Sequence, residues 1–430
     1  MVKVTLPYGQ SELTFELHAE NLLTVGSPKE VPGSDVEVAL NAGFDNPLGC
    51  AALEARVGKG RTVAIISDDY TRPTPVSVLL PGILARLNRA GVSDDDVVVV
   101  VAAGIHRPMT PLELEAKLGR ETLDRVRVVQ HRADDQESLE YLGRTSRGTP
   151  VWLNREVVRA DFRIGVGMVE AHPYAGFCGG PKIMMPGVAG LETIFHHHGH
   201  IAKSPASWFG RTAGNPFWED LVDVARLGKL DLVVDVVVNG RGEVIDVFVG
   251  DPVQAQAAAI KTFIEVYGVE IPELADIVIA SANPKYWYFD QSNVSMLNSA
   301  TVVRPGGTRI IAAACPEGLG PDLIRRLYLE SFGRPWPTPA QYLEEMAKGL
   351  YNYEMADAPA IYKLLQAEER AHMILVTEGI SGEDADLMRL DWSRRIDEAL
   401  ERAFRRTGRD AKVAVLPLAG MCYPYVKGRP

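Results

Sequence analysis

Five valines in a row, Val97–Val101, are the most restrictive stretch of this chain. A strand with one wet face alternates apolar and polar residues, whereas an unbroken β-branched run fits a strand covered on both faces. Thr62–Ser67 and Phe162–Met168 are similar runs, and the amphipathic segments Val76–Ala90 and Pro111–Leu118 lie between them. Apolar runs that alternate with amphipathic ones predict a parallel sheet sandwiched by helices.

Val126–Gln130 extends this series. Leu232–Val238 and Glu243–Val249 form a hairpin around Asn239-Gly-Arg-Gly242, a turn rich in residues that tolerate positive φ. Val253–Tyr267 reads as a helix, and Val2–Leu6 with Glu12–Leu17 as an opening hairpin. A second series has strands at Ala275–Ala280, Thr308–Ala314, Met373–Val376 and Ala411–Leu416. Its helices fall at Gln291–Ala300, Pro321–Leu329, Pro339–Lys348 and Arg394–Arg405. A chain of 430 residues exceeds one ordinary core. The fold expected is therefore two α/β domains with mostly parallel sheets and an active-site cleft between them. Residues 1–270 would carry the cofactor and catalytic histidines, 274–430 would close the cleft, and Gly268–Leu274 would link them.

The formal charge of −11 and the lack of a basic patch argue against nucleic acid as a partner. Cys50, Cys178, Cys315 and Cys422 are scattered without a CxxC pair, which fits a reducing compartment. No run of 18 apolar residues offers a membrane span. The opening MVKVTLPYGQ lacks the pattern of a secretory signal. The expected location is the cytoplasm.

In open α/β sheets, ligands bind beyond the carboxyl ends of strands. Three strands here run into polar clusters: Ser67–Pro73, Gly104–Pro108 and Glu170–His172. Arg72 has the fork to bind a carboxylate or phosphate, with Asp69 orienting a neighbour; the bland alternative is a helix cap beside an incidental arginine. His106 and His172 sit in restrained loops, where acid/base work or ligation competes with a solvent-facing or core role. Five of the nine histidines fall within residues 172–200, around a glycine-rich loop that holds Lys182. That loop lacks P-loop spacing, so Lys182 suits a covalent attachment or an anion contact better than a nucleotide triphosphate; the alternative is a surface lysine in a turn. His196, His197, His198 and His200 follow a helical stretch, where residues two apart diverge, so one metal ligand is more credible than a three-histidine centre.

Taken together, these clusters resemble the nickel-dependent lactate racemase family. The motifs are Asp69-Tyr-Thr-Arg-Pro73, His106-Arg-Pro108, His172-Pro-Tyr-Ala-Gly-Phe-Cys-Gly-Gly-Pro-Lys182, Pro186-Gly187 and His198. The resemblance implies a nickel-pincer nucleotide, a pyridinium mononucleotide with thioamide and thiocarboxylate arms, bonded to Lys182 through the thioamide. Gly179, Gly180 and Thr71 would cradle it and His198 would ligate the nickel. It also implies that His106 and His172 flank a 2-hydroxy acid as acid/base pair, with Asp69 and Arg72 orienting the site and binding anionic groups. Hydride transfer to an electrophilic ring would avoid a poorly stabilised carbanion and give a transient 2-keto acid.

One departure bears on the substrate. Family members that act on lactate carry a lysine early in the second domain's first helix, preceded three residues earlier by glutamine; Ser295 and Ser292 stand there. A substrate carboxylate would then be met otherwise, by Lys285 or Gln291, and two serines would leave a wider pocket. The expected activity is racemisation or epimerisation of a 2-hydroxy acid other than lactate, including a sugar acid. A divalent-metal lyase or hydrolase using His172 and His198, and a non-catalytic binder of small anions, are the other classes open to this sequence.

Overall fold

The structure is a computed structural model, and it describes all residues except 202, 321–324, 326–327, 330, 333–334, 349–357 and 429–430. The chain divides into two compact units, Glu30–Phe263 and Met1–Lys29 with Ile264–Pro430. Both are α/β.

The first unit holds a six-stranded sheet in the order Val244–Gly250, Leu232–Val238, Phe162–Met168, Val63–Asp68, Val97–Ala102, Arg127–Gln130. All neighbours run parallel except the Leu232–Val238/Val244–Gly250 hairpin. Alternate residues of one strand enter different cores. Val97, Val99 and Val101 join one apolar cluster with Val63 and Ile65, while Val98 and Val100 join the opposite one with Ala64 and Ile66. Each fully buried valine contributes about 1.5–3 kcal/mol, which explains the unbroken run. Helix Val76–Arg89 buries Val76, Leu79, Leu80, Ile83, Leu84 and Leu87, the spacing of a single helix face. Thr110 and Glu113 form a capping box at helix Pro111–Leu118, which fixes where the loop after the valine strand ends.

The second unit has a six-stranded, all-parallel sheet in the order Trp392–Ser393, His372–Val376, Val303–Ala312, Ala275–Ser281, Val413–Leu416, Leu22–Val25. It too is covered on both faces, with Ile277 and Ile279 in one cluster and Val278 and Ala280 in the other.

Two expectations are corrected. Residues 1–29 belong with the C-terminal half, not with an N-terminal domain beginning at residue 1. The opening hairpin buries Val4, Leu6, Phe15 and Leu17 against that half's sheet, and Leu22–Val25 adds its edge strand. Gly268–Ile271, read as linker, is a strand paired in parallel with Tyr423–Val426; Val269 and Ile271 are buried. Most of the helix expected at Pro321–Leu329 lies outside the described residues. No described helix is long and apolar enough to cross a membrane.

Candidate active site

In the first unit the chain builds Val63–Asp68, moves outward to Val97–Ala102 and Arg127–Gln130, then returns to Phe162–Met168 on the other side. Strand order thus reverses beside Val63–Asp68, and such a reversal leaves a crevice at the carboxyl ends. The crevice is a pocket lined by Asp68, Asp69, Thr71, Arg72, Ala103–His106, Met168, Cys178, Gly179, Lys182 and Pro186–Gly187, among others. Its cavity volume is about 110 Å³.

Asp69 organises one wall. Its Oδ2 lies 2.7 Å from His106 Nδ1, and its Oδ1 accepts from the Thr71 amide at 3.1 Å and the Thr71 hydroxyl at 2.6 Å. Burial pushes the Asp69 carboxyl up, but hydrogen bonds from His106 and Thr71 outweigh it and hold the group below its usual range. An ionised Asp69 keeps a proton on His106 Nδ1 and leaves Nε2 with its lone pair. Arg72 turns towards Glu170, Nε to Oε1 3.8 Å, and lines the pocket.

Behind this wall stands Lys117, which the sequence reading passed over. Its Nζ meets Asp68 Oδ1 at 2.7 Å and donates to the Arg72 and Thr74 carbonyls at 2.8 and 3.1 Å. Burial pushes Asp68 up to about 6, opposed by Lys117.

The glycine loop forms the other wall. Gly179 and Gly180 have φ of +79° and +52°, conformations that favour glycine. The loop is gripped by two further residues the sequence reading missed, Asp235, which accepts from the Gly180 amide at 2.7 Å, and Gln256, which donates to the Cys178 and Gly179 carbonyls at 2.9 and 3.1 Å. Lys182 follows on a short 3-10 turn. Burial lowers its amine's pKa, with the Arg72 charge acting in the same direction. Among the described residues its Nζ has no hydrogen bond or ion pair, so it is available to a ligand.

His172 and His198 are not in the pocket lining itself. They flank an aromatic cluster: Tyr174 is 5.4 Å from His172 and 6.4 Å from His198, ring to ring, and Phe217 packs on both. His172 Nδ1 accepts from the Tyr174 and Ala175 amides at 3.2 and 3.1 Å, which places the neutral ring's proton on Nε2. Helix Leu191–His196 continues into a π-turn over His197–Ile201. There His198 Nδ1 donates to the Ile194 carbonyl at 3.2 Å. Burial, together with the Lys182 charge, lowers His198 to about 4. It is a neutral imidazole whose Nε2 carries the lone pair, the form a metal requires. His197 is buried against Phe217 and hydrogen-bonds its carbonyl at 3.1 Å, while His196 lies 3.1 Å from the Thr149 hydroxyl. Of these three, His198 has the free Nε2 a ligand needs; the side chain of His200 lies outside the described residues. Among the described residues no group of three or more His, Cys, Asp or Glu is placed to hold an ion.

The donor set fits a tethered metal-bearing cofactor: among the described residues an unpaired amine at Lys182, glycine backbone beside it, and at His198 a neutral imidazole able to ligate a metal. Four expected substrate residues lie in the other unit. Ser292 and Ser295 are fully buried, with Ser295 donating to the Ser292 carbonyl at 2.6 Å and Ser292 to the Tyr288 carbonyl at 3.3 Å. Both hydroxyls are thus hydrogen-bonded to nearby backbone carbonyls. Lys285 and Gln291 are partly exposed.

Comparison with known proteins agrees with this geometry. Residues 8–210 match the lactate racemase N-terminal domain and residues 272–421 the lactate racemase C-terminal domain. Lactate racemase of Lactiplantibacillus plantarum is 28% identical over 426 residues, covering 97% of this chain and 98% of that protein. The enzyme of Thermoanaerobacterium thermosaccharolyticum is 27% identical over 424 residues, with the same coverage. The solved lactate racemase apoprotein from the latter organism superposes with a TM-score of 0.87 at 26% identity, covering 98% of this chain and all of that one. A Thermotoga maritima protein shares the fold, with a TM-score of 0.68 at 17% identity, covering 92% of this chain and all of that one. The chain belongs to the lactate racemase family and is an isomerase.

Proposed function

We propose that the protein racemises or epimerises a 2-hydroxy acid other than lactate, using a nickel-pincer nucleotide tethered to Lys182. The observation that carries this reading is the convergence of the Asp69–His106 pair, Arg72 and an unpaired Lys182 in one pocket, within a chain of this family. The cofactor, when bound, supplies an electrophilic carbon able to take and return hydride, the step no side chain can perform.

The residues do the rest. Arg72, charged and facing pocket space, binds an anionic group. His106 Nε2, backed by the Asp69 carboxylate, takes the hydroxyl proton of one stereoisomer, and His172, whose Nε2 carries the proton, hydrogen-bonds the hydroxyl of the other. His198 would hold the nickel through Nε2. Ser295 provides no cation where lactate-acting members have lysine, which favours a substrate whose carboxylate is met by another group.

A test is to express the protein in a host that makes the cofactor, and then to assay a panel of enantiopure 2-hydroxy acids. Loss of optical purity in one of them, abolished by Lys182→Ala, supports the reading. Turnover by protein from a host without the cofactor pathway contradicts it.

A further inference from the structure

Asp235 is an anomaly in its own strand. It sits amid valines in Leu232–Val238, where all seven residues are buried, and its carboxylate is 2% exposed. Burying a carboxylate is costly unless its oxygens are engaged. Burial pushes it up to about 7, against the pull of the Gly180 amide. Among the described residues no arginine or lysine pairs with it, and the Gly180 N–H donates to it at 2.7 Å.

Gln256 approaches the same turn from helix Pro252–Tyr267. Its amide donates to the carbonyls of Cys178 and Gly179, while its Oε1 accepts from the Trp218 indole at 3.0 Å. That third bond fixes which end of the amide faces the turn. Three consecutive residues thus have their backbone polar groups taken by two buried side chains. Space is equally restricted: a Cβ at Gly179 would lie 3.0 Å from Asp235 Oδ2, and one at Gly180 2.6 Å from the Pro252 carbonyl. Lys182 N–H then bonds back to the Gly179 carbonyl at 3.2 Å, so the lysine's direction follows from the turn.

We infer that Asp235 and Gln256 are positioning residues that hold the Cys178–Gly180 turn in the conformation presenting Lys182 for cofactor attachment. This rests on the reading that Lys182 is the attachment point. In that step the amine nitrogen bonds to the carbon of a thiocarboxylic acid; a thioamide forms and one water leaves. An amine misplaced by about 1 Å loses roughly 10²-fold in such a reaction, so the clamp governs loading before any turnover.

The experiment follows the mass of the Lys182 peptide in protein co-expressed with the cofactor pathway, for wild type, Asp235→Leu, Asp235→Asn and Gln256→Met. Asp235→Leu and Gln256→Met should load roughly 10²-fold more slowly. Asp235→Asn keeps an acceptor for Gly180 N–H, and loading should stay within about threefold of wild type. Rescue by asparagine would show that the turn needs the acceptor for Gly180 N–H and not the charge. Equal loading in all four proteins, or equal loss in Asp235→Asn and Asp235→Leu, overturns the inference. If Asp235→Leu fails to fold, Gln256→Met decides on the same criterion.

A second arm needs no cofactor: acetic anhydride labelling of the apoprotein across pH. Lys182 should acetylate at lower pH than surface lysines in wild type and Asp235→Asn, but not in Asp235→Leu or Gln256→Met. Identical profiles overturn the clamp. Wild type without an adduct would instead sink the attachment reading, and the labelling arm would still decide whether the clamp sets the amine.

Discussion

The Asp69 carboxylate lies 2.7 Å from Nδ1 of His106, while its other oxygen is held by Thr71. One buried anion thus orients the imidazole, and its own position is fixed by a neighbouring backbone amide. Asp69→Asn keeps the shape but removes the charge that selects the tautomer. The kcat should fall roughly 10²-fold or more with KM little changed, measured by initial rates on the racemised acid. A change confined to KM would mean that Asp69 only binds substrate.

On the proposed reading His198 would offer nickel its Nε2 lone pair, because Nδ1 is tied to the Ile194 carbonyl. His198→Ala should leave the Lys182 adduct in place but lower nickel retention by at least about tenfold. Metal analysis alongside intact mass checks both. Full nickel content in this variant would place the ligand elsewhere.

Gly180 adopts φ +52° and a Cβ there would meet the Pro252 carbonyl at 2.6 Å. Gly180→Ala should destabilise the protein by about 1–3 kcal/mol, read as a lower urea midpoint. An unchanged midpoint would mean that the turn relaxes readily.

His372 bridges two carboxylates, Nδ1 to Glu368 Oε1 and Nε2 to Asp391 Oδ2, both at 2.8 Å. Hydrogen bonds to the Asp391 and Glu368 carboxylates push it up to about 9, above the value near 6.5 of an unfolded histidine. The charged ring binds its proton more tightly in the folded state. Its contribution of about 2 kcal/mol is therefore complete below pH ~6.5 and lost as pH rises through ~9. Urea midpoints at pH ~6 and ~9.5 should differ by more in wild type than in His372→Gln. Equal differences would show that the bridge adds no pH-dependent stability.

How much of this was legible in the sequence depended on where each residue's partner lies. The Val97–Val101 run revealed its sheet because burial on both faces imposes composition locally. The loops bearing Asp69, His106 and Lys182 were readable because strand ends gather ligand-binding residues. Leu22–Val25 was missed: it is only four residues long, none fully buried, and its partner Val413–Leu416 is almost four hundred residues away. Gly268 and Pro272 made Gly268–Ile271 look like a linker, although Val269 and Ile271 alternate inward. Asp235 was hidden for a similar reason, because a lone acid among valines has no meaning until Gly180 is placed beside it. Ser292 and Ser295 were located by their helix position, which carries no information about where their hydroxyls bond.

The most direct test follows a 2-hydroxy acid deuterated at C2 during racemisation by cofactor-loaded protein in ordinary water. Hydride shuttling predicts that optical purity decays while deuterium stays on C2, with a primary isotope effect on the rate. Deuterium lost to solvent from the first turnovers, with no such effect, would contradict the account.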